Sequence, residues 1–298
     1  MELKKGKYTH PSGKKNSLNN LTGSEWARLS KSVEQFPDKR SKKQKLHGAA
    51  FPQSLVEHHI LCYTKKKNIV LDPFVGVGTT LDACKKTERR GIGIEINPEF
   101  VKLAKKDISQ KTLSPDNNTI TIINDDIRNL LAHQKPNSVD FIITSPPYSN
   151  LLHKVQKKFL YKWKKFGKNE KPNAKPYSKV KNDLGNLDYD ESLDEFEKVF
   201  SDTLKVLKND SYAVWVVKDF RDLKNDIPYV SFHTDLISRA TKVGWILWDI
   251  RIYDQTKFRP LVILGIPSRN FYMNMGHSYI LVFKKIINEP KKTKKNNL

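Results

Sequence analysis

Asn68-Ile69-Val70-Leu71-Asp72-Pro73-Phe74-Val75-Gly76-Val77-Gly78-Thr79-Thr80 carries an apolar strand into a loop bearing Pro and Gly, and Leu81-Asp82-Ala83-Cys84 continues it as the start of a helix. Strand, tight Gly turn and helix start form a unit that cradles a nucleotide. Gly76 and Gly78 let the backbone approach a ligand closely, and Thr79 and Thr80 can cap the helix, whose free N–H groups favour a carboxylate or phosphate. A dinucleotide fingerprint needs a third glycine at position 81, where Leu81 stands, and a P-loop needs a lysine directly after Gly78, where none follows. Both readings lose ground, and an open α/β sheet with a different nucleoside ligand remains.

The strands that follow supply the polar groups. Gly91-Ile92-Gly93-Ile94 ends at Glu95, 19 residues beyond Gly76, a spacing at which an acidic side chain accepts from both hydroxyls of a ribose. A third strand, Thr119 to Ile123, ends at Asn124-Asp125-Asp126, where one of the two carboxylates can meet an adenine amino group; the sequence does not separate Asp125 from Asp126. A single acidic strand end is commonly a helix cap, but Asp72, Glu95 and Asp125 or Asp126 stand in register with one Gly loop. The apolar run Val139-Asp140-Phe141-Ile142-Ile143 then leads into Thr144-Ser145-Pro146-Pro147-Tyr148. Two prolines fix φ and donate nothing, which makes a stiff turn whose carbonyls are free to accept hydrogen bonds. With a hydroxyl before them and an aromatic ring after, the turn can hold an exocyclic amine and stack a nucleobase removed from its helix.

These residues resemble the amino-methyltransferases of DNA, which use S-adenosyl-L-methionine. Asp72 to Thr80 looks like their cofactor motif, and Thr144 to Tyr148 like their catalytic motif in the form usual for cytosine-N4 enzymes; adenine-N6 members more often carry Asp or Asn before the prolines. His47-Gly48-Ala49-Ala50-Phe51-Pro52-Gln53-Ser54-Leu55-Val56 resembles the segment that helps cover methionine, and His277 to Phe283 a late core strand. The likeness is dense over about residues 46 to 148 and sparse elsewhere. It implies a class I methyltransferase fold, α/β, with a doubly wound, mostly parallel Rossmann-like sheet and basic appendages. It also implies roles: Phe51, Pro52, Asp72, Pro73, Phe74, Gly76, Gly78, Thr79, Thr80, Glu95, Asp125 and Asp126 bind the cofactor, and Ser145, Pro146, Pro147 and Tyr148 act on the base. Many relatives place the Pro-Pro motif before the Gly loop; here the order is reversed, as a circular permutation of one sheet would give.

Composition sets the bounds. With 298 residues and 38% hydrophobic content the chain can bury one substantial core. Two cysteines make no disulfide framework; Cys62 and Cys84 fall in helical segments and read as buried thiols of a reducing compartment. The absence of a Pro-Cys nucleophile argues against covalent cytosine-C5 chemistry, and no Cys/His spacing suits a metal. Without a signal peptide or a membrane-length apolar run, the cytoplasm is the expected location.

The net charge of +22 is not spread over the chain. Residues 1–47 carry +8, residues 149–182 carry +10 and residues 284–298 carry +5, so the rest is close to neutral. Such appendages suit a polyanion, here double-stranded DNA. The expected organisation is a basic arm with a short helix (1–46), a cofactor half ending in the catalytic turn (47–148), a basic DNA-contacting insertion (149–186), the second half of the sheet (187–283) with a candidate readout loop at 253–276, and a basic disordered tail (284–298). Lys154, Lys157, Lys158, Lys162, Lys164 and Lys165, interleaved with aromatics, are the expected phosphate contacts, joined by Lys257, Arg259 and Arg269. Helical spacing marks Leu193 to Leu207 and Phe232 to Lys242, with Tyr212 to Val217, Trp245 to Ile252 and Tyr279 to Phe283 as strands and their tryptophans in the core. Leu21 to Phe36 reads as a short helix with Trp26, Leu29 and Val33 on one face.

The reaction expected from these features is direct transfer of a methyl group to the N4 amine of a flipped cytosine, with Ser145 Oγ and the Pro146 carbonyl accepting the amine hydrogens and Tyr148 stacking on the base. Adenine-N6 methylation, an RNA amino-methyltransferase and an inactive basic DNA-binding protein are the alternatives. A cognate restriction endonuclease is a partner that the resemblance alone implies.

Overall fold

The computed structural model describes residues 16–36, 41, 43–44, 51–110, 120–149, 178, 180, 183–222, 227–258 and 272–286, side chains of 107–110 excepted. Along the chain run α1 (Gly23–Leu29), β1 (Val33–Glu34), α2 (Gln53–Tyr63), β2 (Ile69–Asp72), α3 (Thr79–Lys86), β3 (Arg90–Glu95), α4 (Pro98–Gln110), β4 (Ile120–Asn124), the short α5 (Leu130–His133) and β5 (Val139–Thr144). The second half adds α6 (Tyr189–Val206), β6 (Leu207–Val217), β7 (Phe220–Asp222), β8 (Ile227–Val230), α7 (Phe232–Lys242), β9 (Ile246–Asp254) and β10 (His277–Lys284).

Eight strands form one sheet in the order β1-β9-β10-β6-β5-β2-β3-β4, while β7 and β8 pair separately. Strands β2 to β6 are mutually parallel, and β10 lies antiparallel between β6 and β9. The two central strands β2 and β5 are buried along nearly their whole length, with only Ile69 and Asp140 partly open, because helices cover both faces. One face packs Val56 and Ile60 of α2 and Ala83 and Cys84 of α3 against Val70, Phe141 and Val214. The other packs Phe196 and Phe200 of α6 and Leu236 of α7 against Leu71, Ile142 and Trp215, with Phe200 and Trp215 rings 4.3 Å apart. This is the doubly wound, mostly parallel Rossmann-like sheet expected for a class I methyltransferase. Chain order reverses between β2 and β5, since β3 and β4 follow on one side and β6 on the other; in open α/β sheets the crevice at the strands' carboxyl ends opens there.

Three local expectations are corrected. The N-terminal helix ends at Leu29; Val33 instead joins β1, pairs with Ile252 and is 56% exposed, so it shares no buried helix face with Trp26. Thr22 caps this helix with Glu25 in a reciprocal capping box, and the Ser30 N–H closes it. Trp245 is buried, but Trp248 is 52% exposed near the outer end of β9, where the Lys284 ammonium lies 4.6 Å from its ring centroid. Tyr253 and Asp254 are the last residues of β9 rather than loop, with Tyr253 buried against Phe36.

Cys62 and Cys84 are buried free thiols. Among the described residues no helix is long and apolar enough to cross a membrane, and no cluster of His, Cys, Asp and Glu could hold a metal.

Candidate functional site

The Gly loop is built by two glycines in left-handed conformation and by a close approach to β3. Gly76 (φ 53°) and Gly78 (φ 85°) turn the chain back on itself, with Gly78 N–H donating to the Val75 carbonyl over 2.9 Å. Gly78, not a threonine, occupies the N-cap position of α3, so Thr79 and Thr80 are its first helical residues and their hydroxyls serve other partners. Thr80 Oγ1 donates to Asp72 Oδ2 at 2.5 Å, and Thr79 Oγ1 accepts from Gln44 Nε2 at 3.1 Å. The same Gln44 amide donates to the Phe51 carbonyl, which ties the segment before α2 to the loop.

Asp72 lies beneath the loop with 1% of its surface exposed. Besides Thr80 it accepts from Phe74 N (3.0 Å) and from Thr144 Oγ1 (2.6 Å), the hydroxyl that ends β5 just before the Pro-Pro turn. Burial pushes this carboxyl up to about 6, against the pull of its three donors. Glu95 at the end of β3 is held by two backbone N–H groups, Gly76 to Oε2 at 2.9 Å and Asn97 to Oε1 at 2.8 Å. Burial raises its carboxyl to about 7, opposed by those two donors and reinforced by the nearby Asp183 and Asp72.

These elements border one cleft that is open to solvent. Pro73 and Phe74 of the Gly loop and Glu95 with Ile96 of β3 form one part of its wall. Asp125, Asp126 and Ile127 after β4 form another, and Ser145, Pro146, Pro147 and Tyr148 after β5 a third. The Gly loop and the Pro-Pro turn therefore face a common space. Gly76, Gly78, Thr79, Thr80, Asp72, Phe51 and Pro52 are not in the cleft wall; the first five shape and brace the loop from behind, and Phe51 packs on the α2 face of the sheet.

Asp125 and Asp126 both reach the cleft but differ in their bonds. Asp126 caps the turn Ile127–Asn129 and is paired with the Arg128 guanidinium through both oxygens. Asp125 accepts from His133 Nε2 at 2.6 Å and Asn129 Nδ2 at 2.9 Å, bonds that hold its carboxyl below the usual carboxylate range. Tyr148 packs on Phe232 of α7, ring centroids 5.6 Å apart, which supports the aromatic from behind.

Asp183 and Leu184 also line the wall, as do Ile94 and Phe100, and none of these four was anticipated. Asp183 and Leu184 sit within the stretch 149–186 expected to contact DNA, yet Leu184 is in the core with Ile94 and Ile127, so the last residues of that stretch belong to the body of the sheet. The readable signal was a lone acidic residue followed by Leu-Gly at the end of a lysine run. Of the expected DNA contacts, Lys257 is exposed just beyond β9. Lys154, Lys157, Lys158, Lys162, Lys164, Lys165, Arg259 and Arg269 lie outside the described residues.

The wall carries four carboxylates, Glu95, Asp125, Asp126 and Asp183, and no basic side chain among the described residues. In a chain of net charge +22, such a cleft disfavours a phosphate-bearing ligand and suits a cation rich in hydroxyl and amino donors.

Parts of the chain are similar to known proteins. Residues 2–106 match a family model described as DNA methylase, and residues 67–170 match one described as RNA cap guanine-N2 methyltransferase. Among curated proteins, the type II methyltransferase M.HpaI of Haemophilus parainfluenzae is 46% identical over 66 residues, 22% of this chain and 21% of that protein. M2.DpnII of Streptococcus pneumoniae, also a type II methyltransferase, is 41% identical over 78 residues, 26% of each chain. The chain thus spans about a fifth to a quarter of the length of the curated relatives it matches. Among solved structures, TrmN from Thermus thermophilus aligns at 15% identity with a TM-score of 0.46, covering 82% of this chain and 53% of that one. A putative DNA modification methylase, also from Thermus thermophilus, aligns at 22% identity and a TM-score of 0.35, covering 57% and 56%.

Proposed function

We propose that this protein is an S-adenosyl-L-methionine-dependent amino methyltransferase of DNA, with the N4 amine of a flipped cytosine as methyl acceptor. The observation that carries the reading is the shared cleft: Pro73, Phe74 and Glu95 of the nucleoside-cradling half face Ser145, Pro146 and Tyr148 across one space. The acidic wall fits this cofactor, a cation without phosphate, and does not fit a dinucleotide or nucleoside triphosphate. Glu95 would hold the ribose, Asp125 the adenine amine, and Phe74 would lie along the donor end. When bound, the cofactor supplies an electrophilic methyl group on a sulfonium.

The chain's own residues then have two tasks. An aromatic amine is a weak nucleophile because its lone pair is delocalised into the ring. Ser145 Oγ and the Pro146 carbonyl, accepting the two amine hydrogens, favour a pyramidal nitrogen with its lone pair directed at the methyl group. Positioning and electrostatics carry the rate, and no side chain forms a covalent intermediate. Tyr148 would stack on the extruded base. The basic segment 149–182 would hold the DNA backbone, and Lys257, Arg259 and Arg269 would contribute.

The serine before the prolines favours cytosine over adenine, and the type II relatives suit a restriction-modification setting with a cognate endonuclease. An RNA acceptor is the second reading, favoured by the match of residues 67–170 to an RNA guanine-N2 model. Calorimetry with S-adenosyl-L-methionine, labelled methyl incorporation into duplex DNA and RNA, and mass spectrometry of the digested nucleosides test the proposal together. N4-methylcytosine from DNA is the expected product; N6-methyladenine, labelled RNA or absence of cofactor binding would each overturn a named part of it.

A further inference from the structure

Asp183 is 5% exposed, lines the cleft, and leads the short 3-10 turn Leu184–Asn186. Its Oδ1 caps that turn by accepting the Gly185 N–H at 2.9 Å, while its Oδ2 is buried with no hydrogen-bond partner. A buried carboxylate oxygen left without a donor costs about 1–3 kcal/mol or more, so an acceptor of this kind at a cleft wall is suited to a donor brought by a ligand. No lysine, arginine or histidine among the described cleft residues can serve, and the N–H groups of Gly76, Asn97 and Asp126 are already committed to Glu95 and Asp125. The adjacent hydrogen-bonding ligand group is fixed by position. Asp183 acts electrostatically on Glu95, which places the two carboxylates close together in the same wall, and Leu184 packs with Ile94 beside them.

We infer that Asp183 is a further cofactor-binding residue, its Oδ2 accepting a hydrogen from the ribose of the adenosyl group beside Glu95, so that two carboxylates from distant parts of the chain hold one diol. This rests on the cofactor reading above. Its consequence is that the segment entering α6, and with it the far end of the basic stretch, is fixed on the cleft by cofactor.

The test compares wild-type protein with Asp183→Asn, which keeps an oxygen to cap Gly185 and replaces the free acceptor with a donor, and with Asp183→Ala. Calorimetry is run with S-adenosyl-L-methionine, S-adenosyl-L-homocysteine and 5′-methylthioadenosine, which retains the ribose but lacks the amino-acid end. The expected result is a fall in affinity of roughly tenfold for all three ligands in Asp183→Asn, with an unchanged thermal midpoint of the unliganded protein. Unchanged affinity for 5′-methylthioadenosine alongside weakened binding of the other two would assign Asp183 to the methionine end and overturn the ribose assignment. Equal binding of all three to the variant and wild type would overturn any ligand role. Failure of the wild type to bind any of the three would instead defeat the cofactor reading itself, so the two failures are distinct.

Discussion

The Thr144 hydroxyl donates to Asp72 Oδ1 over 2.6 Å, and through that bond the residue that opens the Pro-Pro turn is fixed to the residue that opens the Gly loop. The strands they terminate, β5 and β2, are neighbours at the point where chain order reverses, with Leu71 paired to Ile142. Asp72 also takes Thr80 Oγ1 and Phe74 N, so one buried carboxylate sets the relative position of strand end, loop and helix start. A cleft in which a methyl donor and an acceptor must meet in line depends on such a fixed distance. Thr144→Val keeps the shape and removes the hydroxyl; it is expected to cost about 1–3 kcal/mol of stability, because the buried carboxylate loses a donor. Thr144→Ser should recover most of the loss. Urea unfolding measures both, and a valine variant as stable as wild type would show that the bond does not brace the site.

Asp72 has a pH signature. Its folded-state value of about 6 lies above the ordinary carboxylate value of about 3.9, so the folded protein holds this proton more tightly than the unfolded chain. The resulting stabilisation is fully present below the unfolded value and is lost as pH rises through about 6, amounting to roughly 3 kcal/mol at most. Glu95 acts with the same sign at about 7, while buried His58, lowered to about 4 by burial and by Arg251, acts with the opposite sign as pH falls. Both remain in Asp72→Asn, with Glu95 eased downward by the loss of the Asp72 charge, so the difference between variant and wild type reports Asp72 together with its smaller effect on Glu95. Relative to wild type, the variant should gain stability between about pH 4 and 6 and level off above that; parallel pH profiles would contradict the assignment.

The division of labour across the cleft predicts separable defects. Ser145→Ala should lower the rate of methyl transfer by roughly a hundredfold, the effect of removing one polar group aimed at the reacting centre, while sparing cofactor affinity. Glu95→Gln should weaken cofactor binding by roughly tenfold and leave the rate at saturation nearly intact. Since an ionised Glu95 is the better acceptor, wild-type affinity should rise as pH increases through about 7 and then level off, and Glu95→Gln should lose that dependence. Equal loss of cofactor in both variants would remove the distinction.

The sheet and its cleft were legible because the signals are local. An apolar run ending in Asp72-Pro73, a pair of glycines and a Pro-Pro turn each dictate backbone geometry within a few residues, and parallel pairing then brings their ends to one edge. What the sequence hid depends on contacts between distant segments. Asp72 has the residue type of a ligand contact, yet its role as an internal brace follows from Thr144, which lies 72 residues away. Asp183 was masked by the lysines before it, since charge averaged over a window says nothing about the one residue that folds back into the core. Val33 follows the helical spacing of Trp26 and Leu29, but pairing with Ile252 claims it for a strand, as tertiary contacts override weak propensity in short elements.

The basic stretch after the turn predicts a salt effect. If Lys157, Lys158, Lys164 and Lys165 contact phosphates, replacing all four with alanine should lower DNA affinity at low salt and flatten the dependence of log K on log salt by roughly one unit per lost contact. Cofactor affinity should be unchanged, since no basic residue lines the cleft among the described residues. Fluorescence anisotropy across a salt series measures the slope, and an unaltered slope would place the DNA elsewhere on the molecule.

The Gly loop depends on a glycine outside it. A Cβ at Gly93 of β3 would stand 2.7 Å from both Val75 Cγ1 and Cγ2, far inside contact distance, and Val75 is itself buried and anchored by its N–H to the Ile94 carbonyl at 3.1 Å. Gly93→Ala must therefore push the loop outward between Phe74 and Gly76, at a cost of about 1–3 kcal/mol typical of overpacking. That displacement would also draw Gly76 N away from Glu95 Oε2, so the carboxylate proposed to hold the ribose would lose its orientation along with the loop. The expected outcome is a lowered thermal midpoint and weakened cofactor binding from a substitution that touches no ligand. Removing the obstruction with Val75→Ala in the same chain should restore binding more than stability, because the clash disappears while the buried apolar contact does not return. If the double variant binds cofactor as poorly as Gly93→Ala alone, the defect arises in β3 and not in the seating of the loop.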